Sequence, residues 1–507
     1  MTTTVLLSVV LGLYLAGIFA LSLVAVRRVH NEEDYLVAGR RLPLSLAWAT
    51  LIATWFGAAT VLGAAEAARE DGVRGTLLDP FASGGALILA GLFFARPLWE
   101  MRLLTISDFY GRVFGPKSEV TAAVIVIPGY FGWVAAQYIA LGGLQDVFFG
   151  IDADWGILFA AAIVLVYTIV GGMWSVTVTD ALQLVIALVT LVILAWTAFS
   201  HLGDGAAADG VSRLWGETPS GLLTLLPEPG LAAGLVWLAT LGSGLFGNIP
   251  GQDLMQRVFA SKDARTAVRA CVLAGVLYIA FGLLPVGLGL ASRILVPEAD
   301  GAGILGVLAQ EYLTPTLTVV FVVALVSIIV STCTSAVLSP AAVLGHNLLG
   351  RLPGLKSRPL TVDRFSVLII TLCSLFVAYS GKTIIELLEL SLSIVLVSLF
   401  VPLVMGLYGN PNRHNERSAL LAMIFGCVVW LPREWLEGFH LPLPDDVAER
   451  GIEYADYVRS VYPPARVGTI VCECLYWFAL IPSALSGTAA SFIGYVMGGK
   501  SKPGAQG

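Results

Sequence analysis

The chain has 507 residues, of which 57% are hydrophobic and only 13% charged, with a mean hydropathy of +0.84 and a formal net charge of −6. Soluble proteins carry about 25% charged residues. A soluble globule of this size could not bury so much apolar surface, so the composition excludes that class and indicates a protein embedded in a lipid bilayer. The six cysteines lie in apolar segments, which favours buried thiols over a disulfide framework.

The apolar residues occur in blocks of about twenty, the length that crosses roughly 30 Å of hydrocarbon. We therefore predict an all-α membrane protein of about thirteen transmembrane helices, forming one transmembrane domain over residues 1–507 with no appended soluble domain. The predicted spans are 4–26, 45–65, 78–98, 119–149, 155–172, 174–200, 231–251, 266–292, 315–345, 362–380, 383–408, 418–436 and 467–498.

The positions of Lys and Arg predict how the chain is oriented. With the N-terminus outside, most of the 29 basic residues, Arg257 among them, fall in inside connections. The remainder are spread over longer outside loops such as 201–230 and 437–466. This asymmetry follows the positive-inside rule. We expect a multi-pass protein of the cell membrane with its N-terminus outside and its C-terminus in the cytoplasm, as an odd number of spans requires.

Two spans contain glycine and proline at unusual positions. The second carries ATWFGA at 53–58, and the seventh carries GSGLFGNIPG at 242–251. Backbone groups freed at such breaks are tolerated in a membrane only where protein or a cavity satisfies them. The two spans are five apart and enter from opposite sides, the pattern of a five-plus-five inverted repeat in which each repeat starts with a discontinuous helix. The alternative is that these glycines only let helices pack closely.

The predicted repeats divide the domain. The first repeat covers 45–200 and the second covers 231–408. The first helix, at 4–26, and two C-terminal helices, within 418–498, are expected to be peripheral.

Asp180 lies near the inside end of the sixth span. A carboxylate at membrane depth is costly and is by default a functional hypothesis. The alternative is a cap at the N-terminus of a helix, which the helix dipole favours.

The ninth span concentrates hydroxyl side chains in one apolar helix. They are Ser327, Ser331, Thr332, Thr334, Ser335 and Ser339. Hydroxyl oxygens, together with carbonyls freed at a helix break, suit a desolvated Na⁺ ion. The alternative is that they connect helices or bond back to the preceding turn.

Trp55, at the break in the second span, and Trp133, in the fourth, lie at mid-span, where interfacial belts explain tryptophan poorly. Facing a cavity, they could hold an organic cation by cation–π attraction; the alternative is helix packing. The sequence lacks a phosphate-binding glycine loop with its lysine, zinc-ligand spacing and a nucleophile–base pair. We therefore expect no enzyme, no organic cofactor and no nucleic-acid partner.

Three segments resemble the sodium:solute symporter family: DYLVAGR at 34–40, GGMWSVTVTD at 171–180 and QRVFASKDA at 256–264. The resemblance extends through the eleventh span. It implies the LeuT-type inverted-repeat fold and solute uptake coupled to Na⁺.

The resemblance also implies ion sites. The family's sodium site falls on the backbone carbonyls of Ala53, Phe56 and Ile328 and the hydroxyls of Ser331 and Thr332. A second, less universal sodium position in the family falls on Asp180, Thr334 and Ser335.

Within the family, ATWFG at 53–57, GLFFARP at 91–97 and NIP at 248–250 look most like the high-affinity choline transporter branch, with proline symporters more distant. Trp55 and Trp133 match tryptophans of that branch's pocket, which places the cargo near Gly247 and Gly251. Gly251 replaces another pocket tryptophan, and Thr334 replaces an acidic residue.

The function expected from the sequence is sodium-coupled symport of a small polar organic solute by alternating access across the lipid bilayer. A quaternary ammonium such as choline or a betaine is the first candidate cargo. The alternatives are a Na⁺/amino acid (proline-like) or carboxylate symporter, and a membrane sensor that binds solute without net transport.

Overall fold

The computed structural model describes residues 3–27, 29–299, 303–355, 359–438 and 481–499. Over these ranges the secondary structure is helical, and extended pairing is limited to one isolated bridge between Leu42 and Ser261. Nine helical stretches in this part of the chain are long and apolar enough to cross a membrane. The predicted all-α membrane fold is confirmed. The predicted loop 437–466 and the start of the thirteenth span lie almost wholly outside the described residues.

The helices of the first half of the chain are α1 (Thr3–Val26), α2 (Glu32–Val37), α3 (Leu44–Trp55), α4 (Ala64–Asp71), α5 (Ser83–Leu89), α6 (Ala95–Glu100), α7 (Ile106–Phe114), α8 (Pro116–Gly129), α9 (Phe131–Phe149), α10 (Ala153–Leu202) and α11 (Ala207–Glu217). Those of the second half are α12 (Leu231–Gly242), α13 (Gln252–Ala260), α14 (Ala264–Leu295), α15 (Ile304–Tyr312), α16 (Pro315–Val343), α17 (Pro359–Ala378), α18 (Ile384–Val395), α19 (Val401–Tyr408), α20 (Glu416–Gly438) and α21 (Ser483–Gly498).

The second span breaks where the sequence predicts. Helix α3 ends at Trp55, Phe56 has a non-helical ψ of 66°, and helical structure resumes with a π-helical turn over Ala59–Gly63. The N–H of Ala58, which the break frees, donates to Oε1 of Gln137 at 2.9 Å. The freed donor is therefore satisfied by a neighbouring helix, as a break inside a membrane requires.

The seventh span breaks in the same way. Helix α12 continues as a π-helical turn over Ser243–Gly247, and the chain then leaves the helix until α13 starts at Gln252. Nδ2 of Asn248 donates to the carbonyl of Gly244 at 2.7 Å, and the N–H of Gly251 donates to the carbonyl of Asn248 at 3.0 Å. The prediction of discontinuous second and seventh helices is confirmed.

The long helix α10 contains the predicted fifth and sixth spans. Gly172, with φ of 59° and ψ of −176°, interrupts it between them. Asp180 lies eight residues after this interruption, well beyond the first turn, where caps act. The alternative that Asp180 caps a helix N-terminus is therefore wrong.

Helix α16, the predicted ninth span, lies at the centre of the bundle and packs against α1, α3, α9, α10 and α17. Its residues from Phe321 to Val343 are all buried. Helix α1, in contrast, leaves much of its apolar surface exposed, and Leu13 is 70% accessible. Arg257 corrects one prediction: it lies fully buried in α13, and not in a polar connection.

Candidate functional site

A cavity lies between the two helix breaks. Trp55, Trp133, Gly247 and Gly251, the predicted substrate-binding residues, all line it. The other lining residues are Asp79, Ser83, Gly129, Tyr130, Asn248, Asp253, Tyr278, Leu388, Ser391, Leu392 and Val395. The two breaks and the two predicted tryptophans therefore border one cavity.

Two tyrosines complete the aromatic lining. The ring of Tyr278 lies edge-on to Trp55, with ring centroids 6.3 Å apart, and the ring of Tyr130 is tilted against Trp133 at 5.8 Å. The four rings come from the second, fourth and eighth predicted spans. Aromatic faces carry negative electrostatic potential, so such a lining favours a cationic ligand.

Asp253, in the first turn of α13, is 4% exposed and places its carboxylate in the cavity wall. Its oxygens accept hydrogen bonds from the indole N–H of Trp55 and from the hydroxyl of Tyr130. The N–H of Asp253 donates to the Tyr130 hydroxyl oxygen at 2.9 Å. These bonds fix one tryptophan and one tyrosine of the aromatic lining.

Asp79 is a second carboxylate in the wall, also 4% exposed. Its backbone is extended, with φ of −144° and ψ of 123°, at the start of the third span. The Tyr278 hydroxyl lies 2.8 Å from Oδ1 of Asp79, and the Thr60 hydroxyl lies 2.9 Å from Oδ2. Both hydroxyls also lie 3.1 Å from the carbonyl oxygen of Trp55. Asp79 is therefore tied to the break in the second span.

Gly251 is the position at which the family resemblance leads us to expect a tryptophan. A Cβ atom there would lie 2.8 Å from Oδ1 of Asp253 and 3.5 Å from the hydroxyl of Tyr130. The space beside Gly251 is thus taken by a carboxylate and a phenol. At this side of the cavity, hydrogen-bonding groups of Asp253 and Tyr130 take the place of the expected tryptophan ring.

The residues predicted to bind sodium are buried where α3 meets α16. Ala53, Phe56, Ile328, Ser331 and Thr332 are at most 1% exposed. The Thr332 hydroxyl donates to the carbonyl of Ala53 at 3.0 Å, so two of the five predicted ligands are in direct contact. A buried set of carbonyl and hydroxyl oxygens at an unwound helix suits Na⁺.

Asp180 links these oxygens to a wider polar network. Its carboxylate accepts hydrogen bonds from the hydroxyl of Ser331 and, at 2.6 Å, from that of Thr50. Of its predicted partners, Thr334 donates to the carbonyl of Ser331 at 2.8 Å, and Ser335 accepts from Arg257 at 2.7 Å. Asp180 therefore contacts the first predicted sodium set, and the described side chains of Thr334 and Ser335 are engaged elsewhere.

Arg257 lies within electrostatic reach of Asp180 and Asp253. Sequence reasoning missed its role, together with those of Asp79, Tyr130, Asp253 and Tyr278. The signal was present for the two aspartates, since each lies in or beside an apolar span, where a carboxylate indicates function. For the tyrosines and the arginine, only the three-dimensional packing identifies the role.

At one end of the bundle, hydrogen bonds join segments that are distant in the sequence. Arg40 donates to the carbonyl of Leu103 at 2.8 Å and to that of Phe259 at 3.4 Å. The carbonyl of Leu42 accepts from the N–H of Lys262 at 3.0 Å. The segment before α3 is thereby fastened to the region around the end of α13.

A polar cluster lies near this end. His346 contacts Glu32 at 2.6 Å and Asp108 at 3.4 Å, and Asn347 donates to Asp108 at 2.8 Å. Burial alone would raise the pKa of the Asp108 carboxyl, but the hydrogen bond and positive charge of His346, with bonds from Thr105 and Asn347, lower that pKa to about 2. Asp108 is therefore ionised at neutral pH.

The chain is similar in sequence to known sodium-coupled and choline transporters. Residues 35–426 match the sodium:solute symporter family. The chain is 28% identical over 454 residues to high-affinity choline transporter 1 of Caenorhabditis elegans, covering 83% of this chain and 75% of that protein. It is 24% identical over 444 residues to the osmoregulated proline transporter OpuE of Bacillus subtilis, covering 83% of this chain and 88% of that protein.

A solved structure gives the same fold. A Na⁺-coupled sialic acid symporter, in a substrate-bound outward-open state, matches over 99% of both chains with a TM-score of 0.74 at 17% identity. The family match spans most of the chain, and the fold has the two discontinuous helices that the family resemblance implies. The chain belongs to the sodium:solute symporter family.

Proposed function

We propose that the protein is a sodium-coupled symporter whose cargo is a small organic cation. Family membership makes the chain a multi-pass membrane transporter, not an enzyme, that couples solute movement to Na⁺. The observation that supports a cationic cargo is the cavity itself, since four aromatic rings and two carboxylates line it. Aromatic faces and carboxylates both attract positive charge.

This lining favours a cation over the alternative cargoes. A carboxylate or an amino acid would seek free N–H groups at a half-helix N-terminus. Near the break of the seventh span it would instead meet the carboxylate of Asp253. A quaternary ammonium such as choline fits better than a carboxylate or an amino acid, as the similarity to choline transporters suggests. A betaine would bring its own carboxylate against Asp253 and fits less well than choline.

We place the coupling Na⁺ among the carbonyls of Ala53, Phe56 and Ile328 and the hydroxyls of Ser331 and Thr332. An ion there would bridge α3 and α16 across the break and hold the broken helix in one arrangement. A second Na⁺ at Asp180, Thr334 and Ser335 would require Ser335 to release Arg257, to which it is bonded.

Transport then proceeds by alternating access. Na⁺ orders the break in the second span, and Trp55 within that span lines the cargo cavity, so each ligand favours the conformation that the other needs. By thermodynamic reciprocity, Na⁺ must raise the affinity for cargo by the same factor as cargo raises the affinity for Na⁺. We further propose that residues 45–200 and 231–408 form the two inverted repeats, that one group of helices rocks against the rest, and that the N-terminus lies outside.

The test is uptake of radiolabelled choline into proteoliposomes under an imposed Na⁺ gradient. We expect accumulation that collapses when the gradient is removed. The Thr332→Ala variant should raise the Na⁺ concentration for half-maximal uptake roughly tenfold, as loss of one buried polar partner costs about 1–3 kcal/mol. Thr197→Ala, in α10, serves as the control, because that hydroxyl bonds only within its own helix.

Two outcomes would contradict the proposal. Uptake that is indifferent to the Na⁺ gradient for every cation tested would remove the coupling. Binding of cargo and Na⁺ without net accumulation would favour the alternative of a membrane sensor.

A further inference from the structure

The two carboxylates of the cavity have no ion-pair partner in the described part of the chain. Asp79 and Asp253 accept hydrogen bonds from neutral groups only, namely hydroxyls and an indole N–H. Arg257 reaches the backbone carbonyl of Asp253, at 3.2 Å, but forms no salt bridge with its carboxylate. Two acids thus face one small space without a bonded cation.

The buried charges around the site do not balance. Asp79, Asp180 and Asp253 are each at most 4% exposed, and Arg257 is the one fully buried Lys or Arg side chain among the described residues. Uncompensated charge inside a membrane protein is costly and is normally paired or used to bind a ligand. Arg257, near Asp180 and Asp253, offsets one negative charge, and a single Na⁺ offsets another. One negative charge remains for the cargo to neutralise.

By its position, Asp79 is the carboxylate whose charge neither Arg257 nor the Na⁺ ion offsets. Arg257 interacts electrostatically with Asp180 and Asp253, and the predicted sodium oxygens adjoin Asp180. Around Asp79 the bonded neighbours are the hydroxyls of Tyr278 and Thr60. An ionised carboxylate offers about four acceptor sites, so these two donors leave room for further N–H donors.

We infer that the cargo is an organic cation whose charged group carries N–H donors, an ammonium or a guanidinium, and that this group hydrogen-bonds to Asp79. This inference rests on the proposed function. Asp253 acts as a positioning residue, because its oxygens hold the indole of Trp55 and the hydroxyl of Tyr130. The aromatic rings then cover the apolar part of the cargo.

The alternative cations would use this site less well. A quaternary ammonium has no N–H, so it would gain Coulomb attraction and cation–π contact but leave the free acceptor sites of Asp79 unfilled. The same Asp79 site would hold an N–H cation by a charge-assisted hydrogen bond, which is about twice as strong as a neutral one.

The test uses four probes that differ only in replacing N–H by N–CH₃: ethanolamine, N-methylethanolamine, N,N-dimethylethanolamine and choline. Binding to the purified full-length chain is measured by isothermal titration calorimetry with and without Na⁺. We expect affinity to fall along the series, by roughly tenfold or more from ethanolamine to choline, as expected for the loss of a hydrogen bond to a charged group. Choline binding as tightly as ethanolamine, or more tightly, would overturn the inference.

Asp79→Asn, compared with Asp146→Asn on the exposed surface of α9, tests the role of the residue. We expect Asp79→Asn to lose affinity for ethanolamine at least tenfold and to lose the preference along the series, and Asp146→Asn to keep both. If Asp79→Asn changes only the Na⁺ dependence and keeps the amine preference, Asp79 holds Na⁺ and the inference is wrong. If Asp79→Asn does not fold, the order of affinities of the four amines for the wild-type protein still tests the inference.

The two proposals fail in different ways. Cargo binding that does not depend on Na⁺ in the wild-type protein would contradict sodium coupling, whatever the order of the four amines. Na⁺-dependent binding with choline preferred would leave the proposed function intact and overturn only the assignment of N–H donors to the cargo.

Discussion

Gly57 lies two residues after the end of α3 and packs directly against Thr332 of α16. A Cβ atom at this residue would lie 2.6 Å from both Cγ2 and Oγ1 of Thr332 and 2.7 Å from Oε1 of Gln137. Those two side chains form hydrogen bonds with backbone groups at the break. Thr332 donates to the carbonyl of Ala53, and Gln137 accepts from the N–H of Ala58. The absence of a Cβ at Gly57 therefore lets the broken backbone lie directly against the oxygens predicted to bind sodium.

We predict that Gly57→Ala separates α3 from α16 and weakens Na⁺ binding. Overpacking of this kind costs about 1–3 kcal/mol, so the melting temperature should fall and the Na⁺ concentration for half-maximal uptake should rise. Gly143→Ala, in α9, is the matched control, because a Cβ there meets nothing within 4 Å. A Gly57→Ala protein with wild-type melting and wild-type Na⁺ dependence would show that the contact is not required.

At the scale of the element, the broken second span depends on a residue from another helix. Oε1 of Gln137, in α9, accepts a hydrogen bond from the N–H of Ala58, and Nε2 of the same side chain donates to the carbonyl of Trp133 at 3.4 Å. Trp133 lines the cargo cavity. The Gln137 side chain thus connects the break, next to the oxygens predicted to bind sodium, with the helix that carries a cavity tryptophan.

Replacing Gln137 with Leu should loosen the break. The N–H of Ala58 would lose its acceptor while still buried, at a cost of about 1–3 kcal/mol. Hydrogen exchange measured by mass spectrometry should then be faster in a peptide covering 56–63, and cargo uptake should fall. Gln145→Leu in the same helix is the control, since Gln145 bonds the carbonyls of Leu141 and Gly156, away from the break. Unchanged exchange over 56–63 would contradict this role.

At the scale of the whole molecule, the features that could be predicted from the sequence are those that depend on local residue patterns. Apolar blocks predicted the all-α membrane fold, and glycine-rich stretches predicted the two breaks, because bilayer thickness and backbone hydrogen bonding constrain every membrane helix. The pairing of Asp180 with Ser331 and Thr50 was not predicted, since it depends on the rotation of three helices about their axes. Asp79 and Asp253 were missed because they lie at span ends, where a carboxylate is usually assigned to water.

The contacts of Arg40, at one end of the bundle, lead to a prediction about the whole transport cycle. Arg40 bonds the carbonyls of Leu103 and Phe259 and forms a salt bridge with Glu33 at 2.6 Å. Alternating access requires these contacts to break when this end opens. Hydrogen bonds from a charged group contribute about 1.5–3 kcal/mol, so losing them should shift the population toward the open form by roughly tenfold or more.

The measurement is the rate at which a thiol reagent labels a cysteine introduced at Ser107, which is fully buried in α7 near this end. Arg40→Ala should speed the labelling of Ser107→Cys severalfold. Arg74→Ala is the matched control, because Arg74 also joins a carbonyl, that of Leu226, and a glutamate, Glu228, in an exposed contact elsewhere. Equal labelling rates in Arg40→Ala and wild type would mean that this network does not hold the end closed. Faster labelling that Na⁺ and cargo then modulate would connect the network to the transport cycle.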